Sequence, residues 1–294
     1  MTDAAVRQRI ADLKHRIAFQ ILACTFEIRT DSVELVESLR YLVQQAEQDY
    51  PVREHHTYAL YRDGDHIVIA EDMEPCDFEL GSAGILENLF KRVHNKAFEA
   101  LPDHVRVHAA SGFLGDRFFI FSGDKYAGKS TLTLKLLHEG FDMVGDELVM
   151  LNHEEAVTFP RKMYVRGQCL ELLPEFQGLS ESLPFVSNAT EPHMIAFDPL
   201  DVGRRWDIRP ALLGAVIYIE ANHGGRSRLV PCGKLDMVQK IVMQCTPPIT
   251  PSSQWVGAVT SAVNRAETFI LEFGDLDGAV KALRRAIEKA DAPS

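Results

Sequence analysis

The residues best able to do chemistry lie together at Gly123-Asp124-Lys125-Tyr126-Ala127-Gly128-Lys129-Ser130-Thr131. They fit the pattern GxxxxGK[ST], whose glycines let the backbone turn until successive N–H groups converge on a phosphate. A helix that begins at such a turn adds the positive end of its dipole. Lys129 offers a mobile cation for β- and γ-phosphates, and Ser130 a hydroxyl oxygen for Mg²⁺. Lys125 reads either as further charge near the phosphates or as a lysine facing solvent. Sixteen residues past Ser130 come Asp146 and Glu147. A carboxylate beside such a loop can hold Mg²⁺ or accept the proton of an attacking hydroxyl. Away from one, the same Asp-Glu pair between apolar stretches reads as a solvated turn.

These residues can act only if the chain around them runs strand, loop, helix. Arg117-Phe118-Phe119-Ile120-Phe121 is an apolar run suited to a buried strand. Thr131 to Glu139 is a good helix former that stops at Gly140. One helix and a turn then bring Asp146 and Glu147 back beside the loop. Val105 to Ala109 predicts a strand, in which His108 is either a histidine satisfied within a core or a donor near the γ-phosphate. Strands are expected at 212–220 and 227–231, and helices at about 234–244 and 276–290. Arg204, Arg205 and Arg209 around Trp206 read as a solvated basic loop or as a contact for an anion. Residues 174–193 predict an irregular excursion, and His223-Gly224-Gly225-Arg226 a turn.

Upstream, 17–29 predicts one strand and 33–47 a helix. Residues 58–62 and 66–70 predict a hairpin across Asp63-Gly64-Asp65. Residues 84–99 predict a second helix, with Ile85, Leu89, Val93 and Ala97 on one stripe. Residues 1–100 thus read as a small α/β region of unknown role, and 101–294 as a nucleotide-handling core.

Over about residues 105–245 the motifs resemble the kinase domain of HPr kinase/phosphorylase and its looser relatives. Val107-His108 resembles the pair that opens that family's core, and twenty-two residues separate His108 from Ser130, as in the family. Gly128-Lys129-Ser130 resembles the end of its loop, and Gly140 to Glu147 its strand carrying two acids. Val165-Arg166-Gly167 resembles its Arg-Gly signature. Pro231-Cys232-Gly233-Lys234 resembles its Pro-Gly-Arg turn. The resemblance implies an α/β fold, with a P-loop kinase core of the HPr kinase / PEP carboxykinase-like type and a smaller N-terminal α/β region.

The activity it implies is ATP- and Mg²⁺-dependent transfer of the γ-phosphate to a hydroxyl, by analogy a serine of a protein or peptide, or a small molecule. Residues 123–131 would hold the nucleotide. Ser130 and Asp146 would hold the metal, and Glu147, or Asp146 with the roles exchanged, would accept the proton. His108, Lys129, Arg166 and Lys234 would steady the transferring group. Glu147 stands where the family has its proton-accepting aspartate, and Tyr164 where it has a metal-binding glutamate. These departures keep two other readings open: an ATP-binding regulatory or interaction protein, and a phosphorylase or ATP hydrolase. A homo-oligomer is implied by resemblance.

The whole chain, 294 residues with 31 Lys+Arg and 42 Asp+Glu, carries a formal charge of −11. That balance speaks against nucleic acid or an anionic membrane as a partner, but not against one small polyanion held by local groups. No apolar run reaches the roughly 18 residues of a spanning helix. The first residues lack the apolar core of a secretory signal, so a cytoplasmic address is expected. The five cysteines are scattered without a CxxC pair, and His55 and His56 lack metal-ligand spacing. Buried free thiols, and neither disulfides nor a zinc site, are expected.

Overall fold

The computed structural model describes residues 3–39, 46–64, 66–79, 82–176, 178, 185–186, 194–222, 224–246 and 252–289. The chain is mixed α/β with several sheets, and it divides into two compact units, Met1–Pro102 and Asp103–Ser294. Among the described residues no helix is long and apolar enough to cross a membrane.

The N-terminal unit is built on one five-stranded sheet. Helix α1 (Asp3–Ala11) precedes strands β1 (His15–Ile21) and β2 (Cys24–Thr30). Helix α2 (Val33–Leu39), strands β3 (Glu54–Asp63), β4 (His66–Glu71) and β5 (Glu74–Glu79) and helix α3 (Ser82–Glu99) follow. The sheet order is β1-β2-β3-β4-β5, antiparallel except for the parallel pair β2–β3. In β2, Cys24, Phe26, Ile28 and Thr30 are buried while the residues between them are partly exposed, the period of a half-buried strand. Ile85, Leu89, Val93 and Ala97 of α3 are fully buried, the helical stripe that the spacing predicts.

Two expectations change here. The single strand over 17–29 is a hairpin, with Ile21 opposite Cys24 and only Leu22 and Ala23 in the turn. Both turn residues are fully buried, so the turn has no polar signature in the sequence. The helix of 33–47 is described to Leu39, and 40–45, like Asp65 of the hairpin turn, lie outside the described residues.

The C-terminal unit starts with β6 (Val105–His108), β7 (Ala110–Leu114) and β8 (Arg117–Gly123). Helix α4 (Lys129–His138) leads to β9 (Asp142–Gly145), β10 (Leu148–Leu151), β11 (Ala156–Thr158), β12 (Met163–Arg166) and the short helix α5 (Gly167–Leu170). Strands β13 (Phe185–Val186), β14 (Met194–Phe197), β15 (Leu213–Ala221) and β16 (Arg228–Pro231) follow. Helix α6 (Lys234–Val242), β17 (Cys245–Thr246), α7 (Ser252–Arg265), β18 (Glu267–Phe273) and α8 (Leu276–Lys289) complete it. Most of the excursion at 174–193, and His223, lie outside the described residues.

The main sheet has the order β9-β7-β8-β15-β18-β16, with β8, β15 and β18 parallel at its centre. Phe119, Phe121, Leu132, Leu136, Ile217, Ile219 and Leu283 belong to one buried cluster around it. A second sheet runs β11-β10-β6-β17. The chain steps directly from one of these sheets to the other, with no helix between, at Ala109 between β6 and β7 and at Asp146-Glu147 between β9 and β10. The two crossings meet, because the Ala109 N–H donates to the Glu147 carbonyl at 3.1 Å. Antiparallel pairing sets Ala110 opposite Phe121 and Gly145 opposite Ser111. Both crossings therefore lie at the edge where β8 ends in Gly123.

Candidate functional site

Two glycines shape the loop that leaves β8. A Cβ on Gly123 would stand 2.8 Å from the Ile219 carbonyl oxygen. Gly128, the residue before α4, has φ 93°, and a Cβ there would stand 2.5 Å from the Phe273 ring. Only glycine meets both the left-handed backbone and the contact. Tyr126 also has positive φ, 69°, a conformation that side chains other than glycine adopt at a cost. Its ring is 67% exposed and lies under two cations, the Arg166 guanidinium at 4.6 Å and the Lys125 ammonium at 5.1 Å. Arg166 thus reaches the loop from the end of β12.

Lys129, in the first turn of α4, is only 9% exposed. Its Nζ donates to the carbonyls of Gly123, at 2.6 Å, and Asp124, at 3.1 Å, so the ammonium folds back over the loop. Burial holds its pKa below the ordinary lysine range, against the opposing pull of Asp124 and Asp146. Ala127 and Thr131 are buried, and the first backbone N–H groups of a helix such as α4 have no partner within it.

Ser130 Oγ donates to Asp146 Oδ2 at 3.2 Å, and the Tyr164 backbone N–H donates to the same oxygen at 3.3 Å. Burial, with the Glu147 carboxylate as the next contributor, pushes the Asp146 carboxyl up to about 7. Glu147 is less buried and pairs with Arg161 at 2.9 Å. His108 sits at the end of β6, opposite Leu148 in the register, and its carbonyl accepts from Ser122 Oγ at 2.7 Å. Burial and the Lys129 ammonium keep its imidazole below the usual histidine range, while Glu147 opposes them. At neutral pH the ring is therefore uncharged, able to donate with one nitrogen and accept with the other.

The fold thus gathers His108, residues 123–131, Asp146, Glu147 and Arg166. Lys234 is placed elsewhere. Strand β16 runs antiparallel to β18, with Arg228 opposite Glu272 and Pro231 opposite Phe269. It therefore leaves the sheet at the edge remote from Gly128 and Phe273. The Lys234 Nζ donates to the carbonyls of Val263, at 3.1 Å, and Ala266, closing the end of α7. The basic cluster beyond it is structural as well. Arg204 donates to the His138 carbonyl at the end of α4, and Arg209 lies over the Phe113 ring and near Asp116 and Asp207.

Four site neighbours have no motif to announce them. Arg161 holds Glu147. The Tyr218 hydroxyl and Gln244 Nε2 donate to Asp124 Oδ1 at 2.8 and 3.5 Å. Phe273 packs on Gly128. Three of the four arrive from strands or turns more than 90 residues away in sequence. The parallel pairing of β8 and β15, in unbroken register from Ala215 to Ile219 with Tyr218 opposite Ser122, is what delivers the tyrosine.

No protein-family model matches the chain, and a search of curated proteins finds no match. Among solved structures, the HPr(Ser) kinase/phosphatase from Coxiella burnetii is similar over 64% of this chain and 99% of that one, at 13% identity and a TM-score of 0.32. Overlap at that score carries nothing for function.

Proposed function

We propose that the C-terminal unit is an ATP- and Mg²⁺-dependent kinase that transfers the γ-phosphate to a hydroxyl. The observation that carries this reading is the meeting of Lys129, Ser130, Asp146 and Glu147 at the one edge where the glycine loop turns into α4. The residues fit a hard divalent cation, because a serine hydroxyl and a buried carboxylate 3.2 Å apart are both oxygen donors. A cation there would also reverse the effect of burial on Asp146 and keep it ionised. Bound Mg²⁺ would neutralise charge on the β- and γ-phosphate oxygens.

The remaining work falls to the chain itself. Backbone N–H groups of the loop and the start of α4 would face the phosphates, and Lys129 would exchange two carbonyl oxygens for phosphate oxygens. The bond from the γ-phosphorus to the ADP oxygen breaks as the bond to the acceptor oxygen forms. The acceptor's proton passes to Glu147, or to Asp146 with the roles exchanged. His108, as a neutral donor, and Arg166, from above Tyr126, would steady the charge that spreads over the transferring oxygens. Lys234 has no part in this scheme, since its ammonium closes α7.

The test is incubation with γ-labelled ATP, Mg²⁺ and a panel of hydroxyl acceptors, lysate included. Transfer that disappears in Lys129→Ala and Glu147→Gln supports the kinase. Nucleotide binding that survives Lys129→Ala overturns it. The Arg161–Glu147 ion pair favours a second reading, nucleotide binding without transfer, because it ties up the proton acceptor. Tight ATP binding with no transfer to any acceptor would select that reading.

A further inference from the structure

We propose that the N-terminal unit binds one divalent transition-metal ion, of the Zn²⁺ type, through Cys24, Glu54 and His56. Cys24 and Glu54 are direct partners in the parallel pair β2–β3, and His56 lies two residues further along the face that carries Glu54. The thiol sulfur, a carboxylate oxygen and an imidazole nitrogen lie within 4.8 Å of one another, and His56 Nε2 is 3.1 Å from Glu54 Oε2. Donor atoms around a tetrahedral zinc are roughly 3.5 Å apart, so small side-chain rotations close the set. Thiolate with imidazole selects a borderline or soft ion over Mg²⁺ or Ca²⁺, and the charges of Cys24 and Glu54 balance a divalent one.

The surroundings match those of a metal-binding histidine. Carboxylates of Glu71 and Asp72 lie within the same 4.8 Å of a His56 ring nitrogen. A carboxylate that accepted from the ring nitrogen left free of metal would orient a metal-bound imidazole. Glu71 is itself anchored by Lys96 at 3.0 Å and Arg92 at 3.5 Å, and Asp72 accepts from the Thr57 N–H at 3.2 Å. Next along the face, the Tyr58 hydroxyl is fully buried with no hydrogen-bond partner among the described residues. Cys24 is fully buried, with its thiol directed to the Lys96 carbonyl at 3.7 Å. The other cysteines are all at least partly exposed.

The test is titration of chelator-stripped full-length protein with Co²⁺. A thiolate-to-cobalt absorption band that saturates at one equivalent, and that Zn²⁺ but not Mg²⁺ erases, is expected. Cys24→Ser should abolish the band, and His56→Asn should weaken binding by at least about 100-fold, beyond the loss typical of an outer partner. Exchange of Cys76, Cys169, Cys232 and Cys245 together for serine should leave the band in place. Absence of a one-equivalent thiolate band in the unaltered protein overturns the proposal whatever the variants do. So does a band that persists in Cys24→Ser.

Discussion

The two units place their reactive side chains differently on their sheets. In the C-terminal unit they come from the ends of strands. His108, Gly123, Asp146 and Arg166 each stand where a strand stops or changes sheet, beside the parallel strands β8, β15 and β18. In the N-terminal unit they stand on the pleat itself: Cys24, Glu54, His56 and Glu71 are paired strand residues that share one face, although Cys24 and Glu54 open their strands and Glu71 closes its own. Parallel strands all end at the same edge, so loops far apart in sequence meet there and can move when a ligand arrives. Neighbouring residues of a paired ladder fix their side chains on a rigid face, which suits a small ion better than a long triphosphate.

The sharpest way to break this comparison is to cut each site and watch the other. Lys129→Ala should reduce phosphoryl transfer by on the order of 100- to 1000-fold, the loss expected for one placed donor at a transition state. It should leave the cobalt–thiolate band intact. Cys24→Ser should do the reverse, with labelled-ATP transfer and Co²⁺ absorption as the paired readouts. A variant that removes both signals would show that the units do not act separately.

Gly128→Ala tests how rigidly the loop edge is held. The positive φ and the Phe273 ring together should cost about 2–4 kcal/mol, measured by urea unfolding. Adding Phe273→Leu should return the packing part and leave the backbone part.

Asp146 gives the loop edge a pH signature. Its folded pKa is raised to about 7, above the ordinary value of 3.8, so between those values the folded state binds the extra proton. Stability from this group is therefore present at low pH and is lost as pH rises towards 7. Asp146→Asn should flatten that part of the profile. Unfolding midpoints at pH 5 and pH 7.5 for both proteins check it, and Mg²⁺ at the higher pH should oppose the loss in the parent only.

The smallest effect is expected at Lys234→Met. Loss of the contact that closes α7 should lower stability by about 1 kcal/mol. Transfer should be unchanged, in keeping with its place at the remote sheet edge.

Legibility in the sequence followed the range of the interactions. The turn from β8 into α4 is local, and GxxxxGK[ST] with its flanking apolar runs conveys it. The α3 stripe is equally local. The hairpin at Leu22-Ala23 was hidden because its turn is apolar and buried. The ion pair of Glu147 with Arg161, the hold of Tyr218 and Gln244 on Asp124, and the Cys24–Glu54–His56 cluster depend on strand register, which no single-residue spacing records. Lys234 was misplaced because a short turn motif carries no information about which edge its strand leaves by. Strand β18, at the centre of the sheet, was not assigned at all, nor was α7 before it.

That unassigned strand has a consequence for how the protein is made. Phe273, which seats Gly128, closes β18, and β18 enters the sheet between β15 and β16, strands synthesised before it. A nascent chain that has not yet emerged past residue 273 has every residue of GxxxxGK[ST] yet lacks the wall that holds the loop. It also exposes the edge of β15, a template for pairing with another chain. Ribosome-bound chains halted at residue 265 should therefore fail to retain nucleotide and should aggregate on release, whereas full-length chains should do neither.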